Sequence, residues 1–246
     1  MLTLGLSDPA FVGGLRSFGP EFANVSLLLR MDGSNGSTTF TDSSPYALTV
    51  TASGNAQIST AQSRFGGASA AFDGIGDYLT VSNNNSLKLG SGNFTIEYWF
   101  YPTNLSGIKQ HLNTDVTPSG NATQASYAII TNGTAVLYYL SSSGTGWNIA
   151  TGVSVGTATL NAWQHVALVR NGNTITPYLN GVAGTTTTTS ASLFNFSSAL
   201  MIGWHAGGST AQQYSGYIDE LCITKGVARY TANFTPPTAP FPDGSA

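Results

Sequence analysis

The sequence predicts an all-β protein built as a two-sheet antiparallel sandwich. Three observations lead to this prediction: short apolar or alternating segments recur along the chain, Asn-Gly pairs separate several of them, and no window shows helical periodicity. Charged residues make up 8% of the 246 residues and hydrophobic residues 41%, enough for a sizeable core under a neutral, polar surface. All-β chains of this length commonly fold as one domain, and we expect one here.

The strand segments follow one another from residue 25 onward. Strands are predicted at residues 25–31, 47–52, 68–72, 78–81, 94–101, 127–131, 135–140, 163–170, 174–179 and 182–187. Asn132-Gly133, Asn171-Gly172 and Asn180-Gly181 separate neighbouring segments, and Asn-Gly favours the positive φ angles of a type I′ hairpin turn. The second half should therefore be an antiparallel meander. This number of strands favours two stacked sheets over one open sheet.

Three further features refine the expected topology. Pro177 cannot donate a ladder hydrogen bond, so its strand should lie at an edge or be bulged. Residues 190–198 are expected to cross between the sheets. Residues 1–24 are interrupted by Gly and Pro and form an extended N-terminal arm ahead of a domain at 25–246. The arm is either an edge strand and loop on the sandwich or a docking segment that becomes ordered on a larger partner.

The last long strand segment, residues 214–224, carries apolar groups on both faces. At a spacing of two, Tyr217, Asp219, Leu221 and Ile223 share one face, and Glu220 points to the other. Burying a lone carboxylate costs several kcal/mol unless cations or hydrogen-bond donors meet it, so Asp219 requires a partner. On the face opposite Asp219, the only cysteine, Cys222, is predicted to be a small buried hydrophobe.

Five stretches of the chain resemble one family. They are YSGYIDELCITKGVARYTANFTPPTAPF (214–241), LLLRMDGSNGSTTFTDSS (27–44), FGGASAAFDGIGDYLTV (65–81), GNFTIEYWFYP (92–102) and NAWQHVALVRNGNTITPYLNGV (161–182). Together they resemble laminin G-like members of the concanavalin A-like lectin and glucanase superfamily, of the type found in phage tail and virion proteins. The resemblance implies a jelly-roll sandwich.

The resemblance also implies a role. We expect a non-enzymatic structural or decoration protein of a phage virion, attached through the arm and the sandwich surface to capsid or tail proteins and present in several copies. Residues 1–22 lack a signal-peptide pattern, so the protein is expected to be made in the host cytoplasm and to reside on the virion. The net charge of −3 and eight unclustered Lys and Arg residues disfavour nucleic acid and anionic membranes as partners.

Many members of the resembled superfamily hold a structural calcium ion. The matching positions here are Asp32 and Asp219, with the Gly74 carbonyl and either Asp42 or Asp73 as additional ligands. Calcium takes about six to eight oxygen ligands, so two carboxylates would not suffice. The alternative is that these aspartates cap turns, because Asp32 and Asp73 each precede a glycine.

The sequence leaves two other functions open. A glycan-binding adhesin would need aromatic rings beside polar groups, and Trp147, Trp204, His205 and Tyr214 are the candidate ligand-binding residues, although each aromatic residue also suits a core.

A glycoside hydrolase would need two facing carboxylates, and the only adjacent acidic pair, Asp219-Glu220, is predicted to point to opposite faces. Glu97 is interpreted as a structural carboxylate and His165 as a hydrogen-bonded core histidine. His111, His165 and His205 show no metal-ligand spacing.

Overall fold

The computed structural model describes residues 19–115, 123–205, 207 and 209–242, and within them the chain forms two stacked antiparallel sheets. The strands are β1 (Val25–Leu29), β2 (Val50–Ser53), β3 (Gln57–Ser59), β4 (Ser69–Asp73), β5 (Tyr78–Val81), β6 (Phe94–Pro102), β7 (Ile108–Asn113), β8 (Ala125–Asn132), β9 (Ala135–Gly144), β10 (Ala150–Thr157), β11 (Gln164–Asn171), β12 (Thr174–Leu179), β13 (Val182–Ala183), β14 (Thr187–Thr188), β15 (Leu200–Ile202) and β16 (Ser215–Lys225). Three short 3-10 helices cover Gly19–Asn24, Asn85–Leu87 and Thr210–Gln212.

The first sheet has the order β13-β12-β11-β6-β16-β4-β3, with β1 paired to β16 and β14 paired to β12. The second sheet has the order β10-β9-β8-β7-β15-β5-β2. Every strand pair in both sheets is antiparallel, and a large apolar core fills the space between them. The predicted two-sheet antiparallel jelly-roll sandwich is confirmed.

The hairpin turns differ in detail from the prediction. Asn180 and Gly181 both have positive φ, 51° and 78°, as a type I′ turn requires. In the other two hairpins Asn132 pairs with Ala135 and Asn171 pairs with Thr174, so each Asn is the last strand residue and its Gly is the first turn residue. The type I′ prediction is therefore wrong for these two turns, because the strands extend one residue further.

Pro177 lies on β12, which is not an edge strand because β13 and β14 pair with it, and the ladder with β11 has no bulge at Pro177, so the predicted edge or bulge is wrong. Pro177 pairs with Leu168 on β11, and its carbonyl accepts a hydrogen bond from Gly184 N at 2.8 Å on the other side. The two short strands β13 and β14 pair with β12 on either side of Pro177, and neither strand has a residue paired with Pro177 itself. No amide donor is needed there.

A buried arginine fixes the crossing between the sheets. The Arg170 side chain is fully buried and donates to the carbonyls of Gly172, Thr189 and Ala191 at 2.8–2.9 Å. Beyond this anchor, Phe194 N donates to Ser141 O of the second sheet. The predicted crossing at residues 190–198 is confirmed.

The outer face of the first sheet is covered by the end of the chain. Ala228, Tyr230 and Phe234 pack against a small cluster of Ala167, Val169 and Tyr178. Further along, Phe241 and Phe22 pack on Val25, Leu28 and Cys222. Cys222 is buried as predicted, and burial raises the pKa of its thiol to about 12. Residues 1–18 of the predicted arm lie outside the described residues, and residues 19–24 form a 3-10 helix that leads into β1.

A buried ion pair attaches this C-terminal segment to the sheet. Glu97 on β6 is buried; its Oε1 lies 3.1 Å from Arg229 Nε, and its Oε2 accepts from Tyr230 Oη at 2.7 Å. His165 Nε2 lies 3.3 Å from the same Oε2. Burial alone would raise the pKa of Glu97, but the Arg229 charge and the His165 contact outweigh it and lower the pKa. Glu97 is thus a structural carboxylate and His165 a core histidine, as predicted.

Candidate functional site

The final strand, β16, contains a bulge at the acidic pair. Its pairing with β6 shifts between Asp219 and Cys222, and Glu220 has a φ of 49°, which a side-chain-bearing residue seldom adopts. Two residues therefore occupy one position of the ladder.

The bulge reverses the alternation of side chains along β16. Ile218, Leu221 and Ile223 belong to the core between the sheets. Tyr217 lies against Tyr101 instead, with ring centroids 5.9 Å apart. The prediction that Tyr217 and Asp219 share a face with Leu221 and Ile223 is wrong, because a strict period of two does not allow for an extra residue.

Asp219 finds backbone partners. Its Oδ2 accepts hydrogen bonds from Arg64 N at 2.8 Å and Phe65 N at 3.1 Å, while its buried Oδ1 has no hydrogen-bond partner among the described residues. Burial raises the pKa of Asp219 to about 7, the two amides oppose this shift, and the negative charge of Asp32 adds to it.

Glu220 joins the C-terminal segment to β16. Its Oε2 accepts from Phe241 N at 2.6 Å, and its Oε1 lies 3.9 Å from Arg30 Nη1. Burial raises the pKa of Glu220 to about 8 despite these favourable contacts, and the neighbouring Asp219 contributes to the shift.

These carboxylates do not form a complete calcium shell as they stand. Asp32 is close enough to Asp219 to affect its pKa, but Gly74 adjoins Ser215, four residues or about 13 Å along β16. The prediction that Gly74 shares this site is wrong. Among the described residues, no group of three His, Cys, Asp or Glu side chains could hold a metal ion. If an ion bound here, the unpaired Asp219 Oδ1 and the Asp32 carboxylate would be its protein ligands. Two carboxylates do not complete a calcium shell, and the calcium ion stays a prediction.

The raised pKa values predict that stability falls as the pH rises from about 5 to about 8. A carboxyl group with a raised folded pKa stabilises the fold fully below its unfolded pKa, and this contribution is lost as the pH passes the folded pKa. The expected slope is up to about 1.4 kcal/mol per pH unit for each group. Urea denaturation at several pH values measures it, and Asp219→Asn should flatten the curve.

Repeating the urea denaturation at each pH in calcium chloride tests whether calcium binds at Asp219. Bound calcium favours ionised carboxylates and would reverse the loss at high pH in the wild type but not in Asp219→Asn. A stability curve that is flat or rising over this range without calcium would contradict the assignment of the raised pKa values.

The outer face of the second sheet presents the other candidate site. On β8, Tyr127 and Ile129 belong to the core, so Ser126, Ala128 and Ile130 point to the opposite, outer face, although each is at most 4% exposed. The strand register extends this face across the sheet.

One row of outward residues crosses five strands. Ala128 pairs with Tyr139 on one side and Asn113 on the other, Asn113 pairs with Met201, and Met201 pairs with Thr80. From β9 to β5 this row spans about 19 Å, at about 4.8 Å per strand.

An aromatic pair lies at each end of this row. Trp147, from the loop between β9 and β10, packs on Tyr139 with ring centroids 5.6 Å apart. Trp204, which follows β15, packs on Tyr78 at 5.1 Å. All four rings are partly exposed. Beside Trp204, His205 Nε2 lies 3.1 Å from Gln212 Oε1. The structure therefore brings Trp147, Trp204 and His205 to one face.

Polar amides occupy the middle of the same face. Asn113 Nδ2 donates to Gln110 Oε1 at 3.0 Å, and Asp115 N donates to Asn113 Oδ1 at 2.7 Å. The two amide side chains are only 4–6% exposed, so the centre of the face is shielded while the aromatic pairs remain accessible. No hydrogen bond among the described residues uses Gln110 Nε2. Sequence reasoning missed Gln110 and Asn113, because only the strand register places them between the tryptophans.

Tyr214 does not belong to this face. Its side chain is fully buried and packs edge-on against Phe72 and His111, and its hydroxyl donates to Tyr217 O at 3.3 Å. The prediction that Tyr214 binds ligand is wrong, since the residue faces the core.

The chain matches a known family in sequence. A laminin G-type family model, described as Concanavalin A-like lectin/glucanases superfamily, matches residues 72–228. The chain belongs to this superfamily. The family assignment predicted from the sequence is thereby confirmed, although the match is shorter than the 25–241 span of the resemblance. No curated protein sequence matches the chain.

Solved structures of the superfamily fold include several toxin domains. The binding domain of Paraclostridial Mosquitocidal Protein 1 has a TM-score of 0.63 at 14% identity, over 83% of this chain and 49% of that one. The botulinum neurotoxin serotype D binding domain has a TM-score of 0.59 at 17% identity, over 83% and 49%. The serotype G binding domain has a TM-score of 0.60 at 15% identity, over 84% and 49%.

The chain thus spans about half the length of these structures, and at such identities the likeness establishes the fold alone. The phage relationship expected from the sequence stays a prediction. No helix within the described residues is both long and apolar enough to cross a bilayer.

Proposed function

We propose that this chain is a non-catalytic glycan-binding module whose ligand contacts the accessible aromatic pairs at the two ends of the outer face of the second sheet. One observation carries the proposal: two partly exposed aromatic pairs, Trp147 with Tyr139 and Trp204 with Tyr78, flank polar amides on a single face. Aromatic rings accept the C–H faces of sugars, and polar groups beside them, such as His205 at Trp204, meet the hydroxyl groups. Gln110 and Asn113 are too buried for this and support the face from beneath.

The comparisons support a binding role. The similar solved structures are described as binding domains, two of them from botulinum neurotoxins, and the family description includes lectins as well as glucanases. A binding function, which needs a surface complementary to a ligand and no catalytic groups, agrees with the solved structures and with the family description.

The environment of the acidic residues supports a role without catalysis. Retaining hydrolysis needs two carboxyl groups about 5 Å apart across an open cleft. Here Asp219 and Glu220 are buried and each accepts a backbone amide, and Glu97 is buried against Arg229. Asp42 is also buried and accepts three backbone amides. These side chains support the fold.

Replacing Trp204 or Trp147 with alanine is expected to weaken glycan binding about tenfold, because each loses roughly 1.5 kcal/mol of ring contact. Trp163→Ala is a matched control: Trp163 is also partly exposed and packs on Tyr101, but it directly precedes β11 of the first sheet. A glycan array identifies the ligand, and calorimetry compares the variants. Equal affinity in all three variants would contradict the proposed face.

The expected placement on a phage particle, as a multi-copy structural or decoration protein, stays a prediction for experiments on purified virions. Attachment through the sandwich surface would have few exposed apolar side chains to use in the described part of the chain. There the exposed large hydrophobic side chains are Tyr46, Ile75, Leu160 and Val182.

A further inference from the structure

A polar pocket lies away from the outer face of the second sheet. It has a volume of about 380 Å³ and forms where the first 3-10 helix, the turn before β2, the second 3-10 helix and the end of β16 meet. Its size falls within the range of small-molecule sites. Its polar lining consists mainly of Asn24, Tyr46, Asn84, Asn85, Ser86 and Lys225.

The amides of this pocket are oriented as donors. Asn84 Oδ1 accepts from Ser86 N at 2.9 Å, and Asn85 Oδ1 accepts from Lys88 Nζ at 2.8 Å. Each oxygen therefore already accepts one hydrogen bond, which leaves the Nδ2 groups as the donors available to a ligand. No hydrogen bond among the described residues uses either Nδ2 group. A ligand that accepts hydrogen bonds is favoured here.

The charged groups at the pocket also favour a ligand with hydrogen-bond acceptors, in particular an anionic one. Lys225 Nζ donates to Asn85 O at 3.0 Å, which holds one ammonium group at the pocket, and Lys88 places a second on the same asparagine. None of the described lining residues is acidic. The nearest acidic residue along the chain, Glu21, interacts with Arg229. Lys88 does not line the pocket, so an anionic group there would meet one cation, Lys225, together with the amide donors of Asn84 and Asn85.

Tyr46 adds an accessible ring. The residue is 46% exposed, and its amide donates to Ser44 Oγ at 3.2 Å, which fixes the backbone beneath the side chain. Simple anions such as phosphate gain little from an aromatic surface, whereas a sugar ring packs its C–H face on one.

The geometry points to a pocket for a sugar that carries a carboxylate, a sialic or uronic acid residue. The carboxylate is bound by Lys225 and the asparagine Nδ2 groups, and the sugar ring lies against Tyr46. This pocket uses none of the residues of the aromatic face, so the chain binds an acidic sugar independently of the proposed site on the second sheet.

Titration calorimetry with sialyllactose, glucuronic acid and the neutral controls lactose and glucose tests this inference. The acidic sugars should bind at least about tenfold more tightly than the neutral ones, and salt should weaken them because exposed charges are screened. Lys225→Gln and Tyr46→Ala should each reduce the affinity about tenfold. Leu160→Ala, which alters a side chain of similar exposure at 47%, should leave it unchanged.

Three outcomes would overturn the inference. They are equal binding of sialyllactose and lactose, acidic-sugar binding that survives both substitutions, and full competition by inorganic phosphate, which would mean an unspecific anion site. Thermal unfolding of each variant shows that it remains folded, and nuclear magnetic resonance follows the Asn84 and Asn85 side-chain amides directly. Trp204→Ala should not affect sialyllactose at this pocket, so failure here and failure of the aromatic face are distinguishable.

Discussion

Glu97→Gln is expected to lower the free energy of unfolding by about 3–5 kcal/mol, because it removes one member of a buried ion pair. The glutamine has nearly the same shape, so packing changes little. However, Arg229, which lies 3.1 Å from the carboxylate, loses its negative partner inside the protein. Tyr230 and His165, both in contact with the same carboxylate oxygen, lose their charged partner as well.

Urea denaturation measures this loss, and limited proteolysis of residues 226–242 locates it. We expect earlier cleavage in that segment, because Glu97 attaches it to β6. Glu21→Gln makes the same chemical change at an exposed residue whose charge also acts on Arg229. Because exposed charge pairs contribute little, it should alter stability by no more than about 1 kcal/mol. A Glu97→Gln protein as stable as the Glu21→Gln protein would show that the ion pair contributes nothing.

Gly181→Ala should destabilise the fold by about 3 kcal/mol. Gly181 has a φ of 78°, and a Cβ atom there would lie 1.7 Å from the Phe234 carbonyl oxygen, which belongs to the backbone and cannot rotate away. Of this cost, about 1 kcal/mol reflects the unfavourable φ, and the rest reflects displacement of the segment from β12. The hydrogen bond from Phe234 N to Gly181 O at 3.0 Å would be disturbed too.

Gly172→Ala separates these two contributions. Gly172 has a similar φ of 59° in the neighbouring hairpin turn, but a Cβ atom added there would meet nothing within 4 Å. It should cost only about 1 kcal/mol. Thermal and urea unfolding of both variants gives the difference, and equal destabilisation would mean that the contact with Phe234 is easily relieved.

Local patterns were sufficient to predict most strands. The Asn-Gly pairs located three hairpins, since such a pair between two apolar segments specifies a turn without long-range information. The strands that were not predicted are short or rich in polar residues and Gly, such as β3, β7, β10 and β15. Their pairing with neighbours, rather than their own side chains, makes them strands.

The candidate sites depended more on long-range geometry. The burial of Asp219 was predictable because it lies within an apolar strand, but the bulge at Glu220 was not, since it depends on pairing with β6. Likewise, Trp147 and Trp204 are 57 positions apart, and only the order of strands β9 to β5 places them on one face. The donor-rich pocket at Asn84 and Asn85 combines segments from both ends of the chain.

The covering of the first sheet by residues 226–242 has a consequence for biosynthesis. These residues leave the ribosome after every strand they cover, so Ala167, Val169 and Tyr178 wait with a water-exposed apolar surface until Tyr230 and Phe234 arrive. During that interval the exposed apolar surface of the nascent chain can associate with other nascent chains. Slow translation or early termination before this segment would therefore favour aggregation over productive folding.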